Sequence, residues 1–311
     1  MLKINILFQE STLFKRAGES KFKPNAILSI AVFFCLWGGS LLLGRFVVIP
    51  LINLFPSNTI VWISFSLSLR KILICSFQVA AFFAWVKLVE KRKIATMGFV
   101  SKNKAIGYCG GVLLGVCSIS AIVFVSIIFG IIEIGFNSFS QSNLLVNSLL
   151  IAVFGWLIQS ASEEIAIRGW LIPTLRTRYN PLVAVLLTGG VFGIIHLFKS
   201  GATALSFINL TLSGFFFALY AINAGNIWGV CGLHFGWNYA LSNIFGLSVS
   251  GEQRLAASLF ISKYSGADWL TGGDFGLEGS LFSTVFLTLA IILIIVVMQK
   301  HHLGIANGNG K

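Results

Sequence analysis

Acidic residues are scarce in this chain. Ten Asp and Glu stand against 22 Lys and Arg among 311 residues, and charged residues of both signs make up only 10%. A soluble domain carries roughly 25% charged residues, so this chain has too few to cover a water-facing surface. With 56% of its residues hydrophobic, the shortage excludes an ordinary cytosolic enzyme and a disordered chain. Cysteine pairing motifs are also lacking. Cys35, Cys75, Cys109, Cys117 and Cys231 lie in apolar runs without CxxC or Cys/His spacing, which argues against a secreted disulfide scaffold or a structural zinc site. A cleavable signal peptide is not expected, because the first 25 residues are polar and basic and the first apolar run is long enough to span a bilayer. No internal repeat or low-complexity tract is visible. What remains is a polytopic membrane protein. In that setting the formal charge of +12 needs no nucleic acid, since Lys and Arg collect in cytoplasmic loops.

The apolar runs predict an all-α bundle of about eight transmembrane helices, at about 26–49, 60–88, 106–132, 147–172, 181–198, 204–222, 227–245 and 281–298. The first is expected to stop before Pro50 and the fourth to end at Pro173. Arg70 and Lys71 blemish the second run, and snorkelling would let its first part lie near the interface. Glycines Gly107, Gly110, Gly111 and Gly115 on the third run would permit close helix approach. The basic residues fall mainly on one side of this scheme: Lys3 to Lys23 in the amino-terminal arm, Lys87 to Lys104 around the second connection, Arg176 and Arg178 in the fourth, and Lys300 and Lys311 in the tail. That pattern places both termini in the cytoplasm. The chain then divides into a basic arm (1–25), a transmembrane domain (26–300) with its polar core at about 147–251, and a short tail (301–311) expected to fray. The long connection 246–279 reads as a polar Gly- and Ser-rich loop.

An ionisable residue at membrane depth is costly and calls for a reason. Three segments carry such residues. The fourth run reads Ser162-Glu163-Glu164-Ile165-Ala166-Ile167-Arg168, the fifth contains Phe192 and His196, and the seventh contains His234 and Asn238. Glu164 and Arg168 are four apart, share a helix face and can pair. Glu163 is rotated by roughly 100° from Glu164 and is free to point elsewhere. Phe192 can pack over His196, and His234 and Asn238 can aim at one point. A carboxylate, two imidazoles and a carboxamide suit activation of water, with Glu163 as base, His196 orienting the water, and His234 and Asn238 donating to an oxyanion. Glu163, His196 and His234 equally suit a divalent metal such as zinc, although no HExxH motif is present. Proton or ion pathways also gather such groups. A small transporter and a non-catalytic binding protein therefore stand as alternatives.

In order and spacing, EExxxR (Glu163, Glu164, Arg168), FxxxH (Phe192, His196) and HxxxN (His234, Asn238) resemble the motifs of the CPBP family of intramembrane proteases. That group includes the type II CAAX prenyl endopeptidases and the bacteriocin-processing and self-immunity proteins. The resemblance covers about residues 155–251. It implies an eight-helix membrane endopeptidase of a bacterial cell membrane, with a site opening toward the cytoplasm and a membrane-associated peptide or protein as substrate. Glu163 would activate water with His196, His234 and Asn238 would hold the oxyanion, and Glu164 and Arg168 would support the first acid. Either a metal or a glutamate-driven mechanism without one is compatible with it. An immunity or regulatory role without catalysis is compatible with the same scaffold.

Overall fold

A computed structural model describes residues 11–55, 59–137, 143–252 and 257–308. Expectations resting on Lys3, Glu10, Arg254 and Lys311, and on the side chains of His301 and His302, fall outside the described residues. Eight hydrophobic helices make up the body. They are α1 (Ala26–Asn53), α2 (Ile60–Leu88), α3 (Lys104–Ile128), α4 (Asn143–Arg176), α5 (Pro181–His196), α6 (Ala204–Ala224), α7 (Trp228–Tyr239) and α8 (Leu281–Gly308). Among the described residues, six of them are long and apolar enough to cross a membrane; α5 and α7 are shorter. The chain is an integral membrane protein of mainly helical structure.

Local chemistry starts several helices where polar residues meet apolar runs. The side chains of Asn25, Thr59 and Asn180 each accept a hydrogen bond from a backbone N–H three residues on, at Leu28, Trp62 and Val183. Thr203 and Ser206 form a reciprocal capping box at the start of α6. Neither Pro50 nor Pro173 ends its helix. Each follows a stretch of wider π-type turns, Gly44–Val48 and Ile165–Leu171, and α1 and α4 then continue to Asn53 and Arg176. A wider turn accommodates a residue that lacks an N–H and crowds the preceding carbonyls.

The helices alternate between two ends of the molecule. At one end Ser11 and Thr12 donate to the carbonyls of Ile222 and Gly225, Arg178 donates to Lys23 O, and Ile227 N donates to Gly98 O. Here Glu90 pairs with Arg92 and accepts from Trp170 Nε1 at 2.6 Å, which pins the α2–α3 connection to α4. At the other end two connections expected to be loops form an antiparallel ribbon, β1 (Ile132–Phe136) with β2 (Phe260–Tyr264), in the register Ile132 to Tyr264. The 246–279 connection is therefore ordered where described, with β2, a one-turn helix Asp268–Thr271 and tight turns. The alternation Ile132, Ile134, Phe136 in β1 suits one face of such a ribbon.

Helix α6 is central, with 61% of its apolar window buried, against 17% in α1 and α2. The outer helices turn Ile27, Phe46, Leu113, Phe154 and Leu293 outward, as expected of a lipid-facing surface. α3 and α7 pack backbone to backbone. A Cβ at Gly111 would overlap the carbonyl of Gly229, and one at Gly232 would overlap the carbonyl of Tyr108. α2 and α4 run parallel: Gly155 lies on Ser68, Trp156 on Lys71, and Ser162 reaches Cys75, so α4 numbering exceeds that of its α2 neighbours by a near-constant interval.

Candidate functional site

Helices α4, α5 and α7 carry the six sequence-selected residues to one place. Glu164 and Arg168 are fully buried and paired, with Nη1 to Oε1 at 3.0 Å. Arg168 Nη2 also donates to the Gly214 carbonyl of α6 at 3.1 Å. Its guanidinium lies 4.8 Å from the Phe192 ring and 5.4 Å from the Phe217 ring, a cation–π cradle in dry surroundings. Glu164 Oε1 also meets His234 Nδ1 at 2.8 Å. With the acid held as a carboxylate by Arg168, Nδ1 is the protonated nitrogen, and Nε2 faces Glu163 Oε2 at 4.0 Å. His234 therefore stands between the two adjacent glutamates.

Glu163 points away from the Glu164–Arg168 pair. One oxygen accepts from Gln159 Nε2 at 2.7 Å, and Gln159 Oε1 accepts from Asn238 Nδ2 at 3.1 Å. The reverse orientation of this carboxamide would set its oxygen against a carboxylate, so the hydrogen bonds define its direction. The other Glu163 oxygen is buried and has no hydrogen-bond partner among the described residues. His196, at the end of α5, bonds through Nδ1 to the Phe192 carbonyl at 2.8 Å. A carbonyl only accepts, so Nδ1 carries the proton and Nε2 keeps its lone pair. The Phe192 ring packs 4.9 Å from the His196 ring, as its spacing predicted.

Because α5 and α7 are short, the connections that follow them reach into the bundle. Irregular backbone at membrane depth is tolerated where it lines a cavity. Ser250, Glu252, Glu278 and Lys199 come from these connections to line the same small cavity, of about 40 Å³, as Glu163, His196, His234 and Asn238. That volume holds about three waters, since one needs roughly 10–15 Å³. Glu278 accepts from Trp237 Nε1 at 3.0 Å and from both the backbone N–H and the hydroxyl of Ser250. Burial pushes its carboxyl up, against those hydrogen bonds. Glu252 pairs with Lys71 of α2 and, at 3.0 Å, with Lys199. Burial opposes its charge, but the two ammonium groups outweigh it and hold the carboxyl well below the usual carboxylate range. Burial likewise opposes the charge of Lys199, and Glu252 reverses the balance and raises it.

A larger chamber of about 610 Å³ adjoins this cavity and shares Gln159, Glu163, His196, Lys199 and Glu252 with it. Trp37, Leu41 and Ile49 of α1 give it an apolar wall, and Arg70, Lys71, Cys75 and Gln78 of α2 a polar one. Arg70 and Lys71 thus turn inward rather than toward the interface, because Asn53, Trp156 and the distant Glu252 supply partners there. Sequence reasoning missed Gln159, whose signal was its position four residues before Glu163. Glu252 and Glu278 lie in the 246–279 stretch read above as a polar loop, and no local pattern marks them as inward-facing.

Among the described residues no three His, Cys, Asp or Glu side chains are placed to hold a metal ion. Both imidazoles direct Nε2 toward the cavity, but one oxygen of Glu163 is committed to Gln159.

Residues 145–240 match the family model described as type II CAAX prenyl endopeptidase Rce1-like. All three motifs lie inside that segment, so the family resemblance holds there, and the family is one of CAAX-type intramembrane proteases. The chain is also 34% identical over 93 residues to the protein YyaK of Bacillus subtilis (strain 168), described as uncharacterized. That likeness covers 28% of this chain and 29% of the relative's length. No solved structure matches the chain.

Proposed function

We propose that this protein is an intramembrane endopeptidase that hydrolyses a peptide bond of a membrane-associated peptide or protein, with Glu163 as general base. One observation carries the reading. Of two adjacent glutamates, Glu164 is buried, paired with Arg168 and away from the cavity, while the half-buried Glu163 lines a cavity of a few waters between two histidines, with one oxygen that has no hydrogen-bond partner among the described residues. A water there is bonded by Glu163 Oε2 and by the lone pair of His196 Nε2. Glu163 takes a proton as the water oxygen attacks the scissile carbonyl. The carbonyl π electrons move onto oxygen, which accepts from Asn238 and from Nε2–H of His234 in its imidazolium form. Glu163 then returns the proton to the leaving nitrogen as the C–N bond breaks. Two carboxylates and one guanidinium leave the cluster one negative charge, and the proton on His234 cancels it. The chemistry needs protein groups and water alone.

The same reading gives eight crossings of a bacterial plasma membrane, with both termini in the cytoplasm. The end-to-end alternation of α1 to α8 supports it, as does the ribbon β1–β2, which requires the α3–α4 and α7–α8 connections to share a side.

The test uses purified protein in lipid nanodiscs and quenched apolar peptides. Glu163→Gln, which preserves shape and hydrogen bonding to Gln159, is expected to lower kcat by about 10²–10⁴-fold, the range of general-base contributions. Undiminished hydrolysis by that variant removes the mechanism. Absence of hydrolysis in the unaltered protein, with a physiological effect that survives Glu163→Gln, favours a binding protein on the same scaffold.

A further inference from the structure

Glu278 lines the small cavity but takes no part in the proposed chemistry. It is 8% exposed, and among the described residues no cation forms an ion pair with it. A buried carboxylate without a counter-charge is costly unless hydrogen bonds hold it. Three do. Oε1 accepts from Trp237 Nε1 at 3.0 Å, and Oε2 accepts from Ser250 N at 2.6 Å and from Ser250 Oγ at 2.9 Å. A carboxamide is no substitute, since it accepts at one end only and sets its own N–H against a donor at the other. The backbone beneath this side chain is fixed as well. Asn209 Nδ2 of α6 donates to the carbonyls of Glu278 and Ser280, each at 2.8 Å, and Gly251 N donates to Phe275 O at 2.9 Å. A Cβ at Gly251 would overlap the carbonyl of Ser200, and one at Gly276 would crowd that of Ser248. The connections after α5 and α7 and the segment before α8 therefore pack as one unit, and the Glu278 side chain joins that unit to α7.

The junction lies where the rotation of α7 matters. Glycines bring the backbones of α3 and α7 together, which fixes the distance between the helices and leaves rotation about the α7 axis to other contacts. On the α4 side, His234 Nδ1 meets Glu164 and Asn238 Nδ2 donates to Gln159. On the other side, Trp237 bonds to Glu278 and packs against Phe286 of α8, with ring centroids 6.3 Å apart. Trp237 follows His234 by three residues and directly precedes Asn238, so a turn of one moves all three. Side-chain tips stand about 5–6 Å from a helix axis. A turn of about 10° therefore shifts a donor by about 1 Å, a displacement that costs up to roughly a hundredfold in rate. We propose that Glu278 is a positioning residue, which clamps Trp237 to the packed connections and through it holds His234 and Asn238 at a fixed angle to the cavity. The inference rests on the hydrolase reading for what those two donors do. Glu278 itself acts through α7 and not on the reacting atoms.

The chain has four histidines, two of them in the tail, so ¹⁵N-histidine labelling reads the site without any substrate. In nanodiscs at one fixed pH, the ring-nitrogen resonances of His234 are assigned by their loss in His234→Gln. They are expected to move in Glu278→Gln. They are expected to move also in Trp237→Phe, which keeps an aromatic ring, removes the indole N–H and changes no charge. The resonances of His196 are expected to stay in place in both. On a quenched apolar peptide, each variant is expected to lower kcat ten- to a hundredfold with KM little changed. The double variant is expected to lose no more than the worse single one, because the two residues form one link. Should Glu278→Gln fail to fold, Trp237→Phe carries both readouts. Unmoved His234 resonances in Trp237→Phe overturn the inference. A shift in Glu278→Gln alone does so too, since the carboxylate would then act by its charge across the cavity and not through Trp237. Additive losses in the double variant, or less folded protein with kcat per folded molecule unchanged, have the same consequence. If His234 moves in both variants and the unaltered protein hydrolyses nothing, the clamp stands and the hydrolase reading alone falls.

Discussion

At the level of single residues, the site is two short chains of hydrogen bonds that meet at the cavity. Arg168 holds Glu164, Glu164 holds His234, and Asn238 holds Gln159, which holds Glu163. Glu163 and Glu164 each keep an oxygen without a hydrogen-bond partner among the described residues, but only Glu163 lines the cavity, and the proposed chemistry is placed there for that reason. Gln159 touches no reacting atom in this scheme; it positions both the base and an oxyanion donor. Gln159→Leu keeps the volume roughly and removes both contacts. Misplacing such groups by about an ångström costs up to roughly a hundredfold, so kcat is expected to fall ten- to a hundredfold with KM little changed. Gln159→Glu is expected to do worse than Gln159→Leu, because it sets a second carboxylate beside Glu163. Steady-state kinetics on one peptide with both variants distinguish positioning from a structural role, which would lower the amount of folded protein rather than kcat. The six residues that the fold brings together were legible as a set because they are ionisable or amide groups at helical spacing within apolar runs. Gln159 obeys the same spacing, but an uncharged Gln is not conspicuous in a composition dominated by the cost of charge. Arg70 and Lys71 invited a snorkelling interpretation because their compensating groups come from helix α1, helix α4 and a loop some 180 positions away. Such contacts exist only once the bundle is assembled.

Among the helices, close approach decides where the imidazole of α7 sits. Gly111 and Gly115 of α3 meet the backbone of α7 at Gly229 and Leu233, directly before His234. The four glycines of α3 were read together as packing residues, but the structure divides them. Gly111 and Gly115 are in the interface, Gly110 faces open space and Gly107 only grazes its neighbour. Sequence gives the composition of a face, and the crossing point depends on both helices. Helix propensity favours Ala over Gly by about 0.8–1 kcal/mol. Gly110→Ala is therefore expected to leave thermal stability unchanged or slightly raised. Gly111→Ala adds a methyl group against a backbone carbonyl, at a cost of roughly 1–3 kcal/mol, which exceeds the propensity gain. It is expected to lower the unfolding midpoint and, by displacing His234, activity as well. Denaturation of the two variants side by side in the same detergent checks this. A midpoint for Gly111→Ala at or above that of Gly110→Ala would mean that α3 and α7 are not in backbone contact.

For the molecule as a whole, the fold is a sequence of end-to-end passages whose parity is testable. The amino-terminal arm, the α2–α3 connection and the α6–α7 turn meet at one end, and the ribbon joins the α3–α4 and α7–α8 connections at the other. The first end carries Lys87 through Lys104, Arg176 and Arg178, and the proposed topology turns it toward the cytoplasm on that ground. The alternation needs α5 and α7 to count as passages, although both are too short to span a bilayer core of about 30 Å at 1.5 Å per residue if α7 is taken to Tyr239. The proposed topology accommodates this because α7 is largely buried among longer helices and the connections that follow α5 and α7 bond to protein, as Lys199 and Ser250 do with Glu252 and Glu278. Hydropathy alone sees the apolar run but not the shell, so the sequence marked both helices while leaving their status to the packing. Lys102, Lys263 and Lys300 are exposed, the first and last at the arm end and the second on the ribbon. In a background with the five cysteines replaced, Lys263→Cys is expected to react with a membrane-impermeant maleimide in intact cells. Lys102→Cys and Lys300→Cys are expected to react only after permeabilisation. Labelling of Lys102→Cys and Lys300→Cys from opposite sides would mean that one short helix does not cross. In that case His196 or His234 would sit on a re-entrant segment, and the cavity would have to be reached from a different face of the membrane.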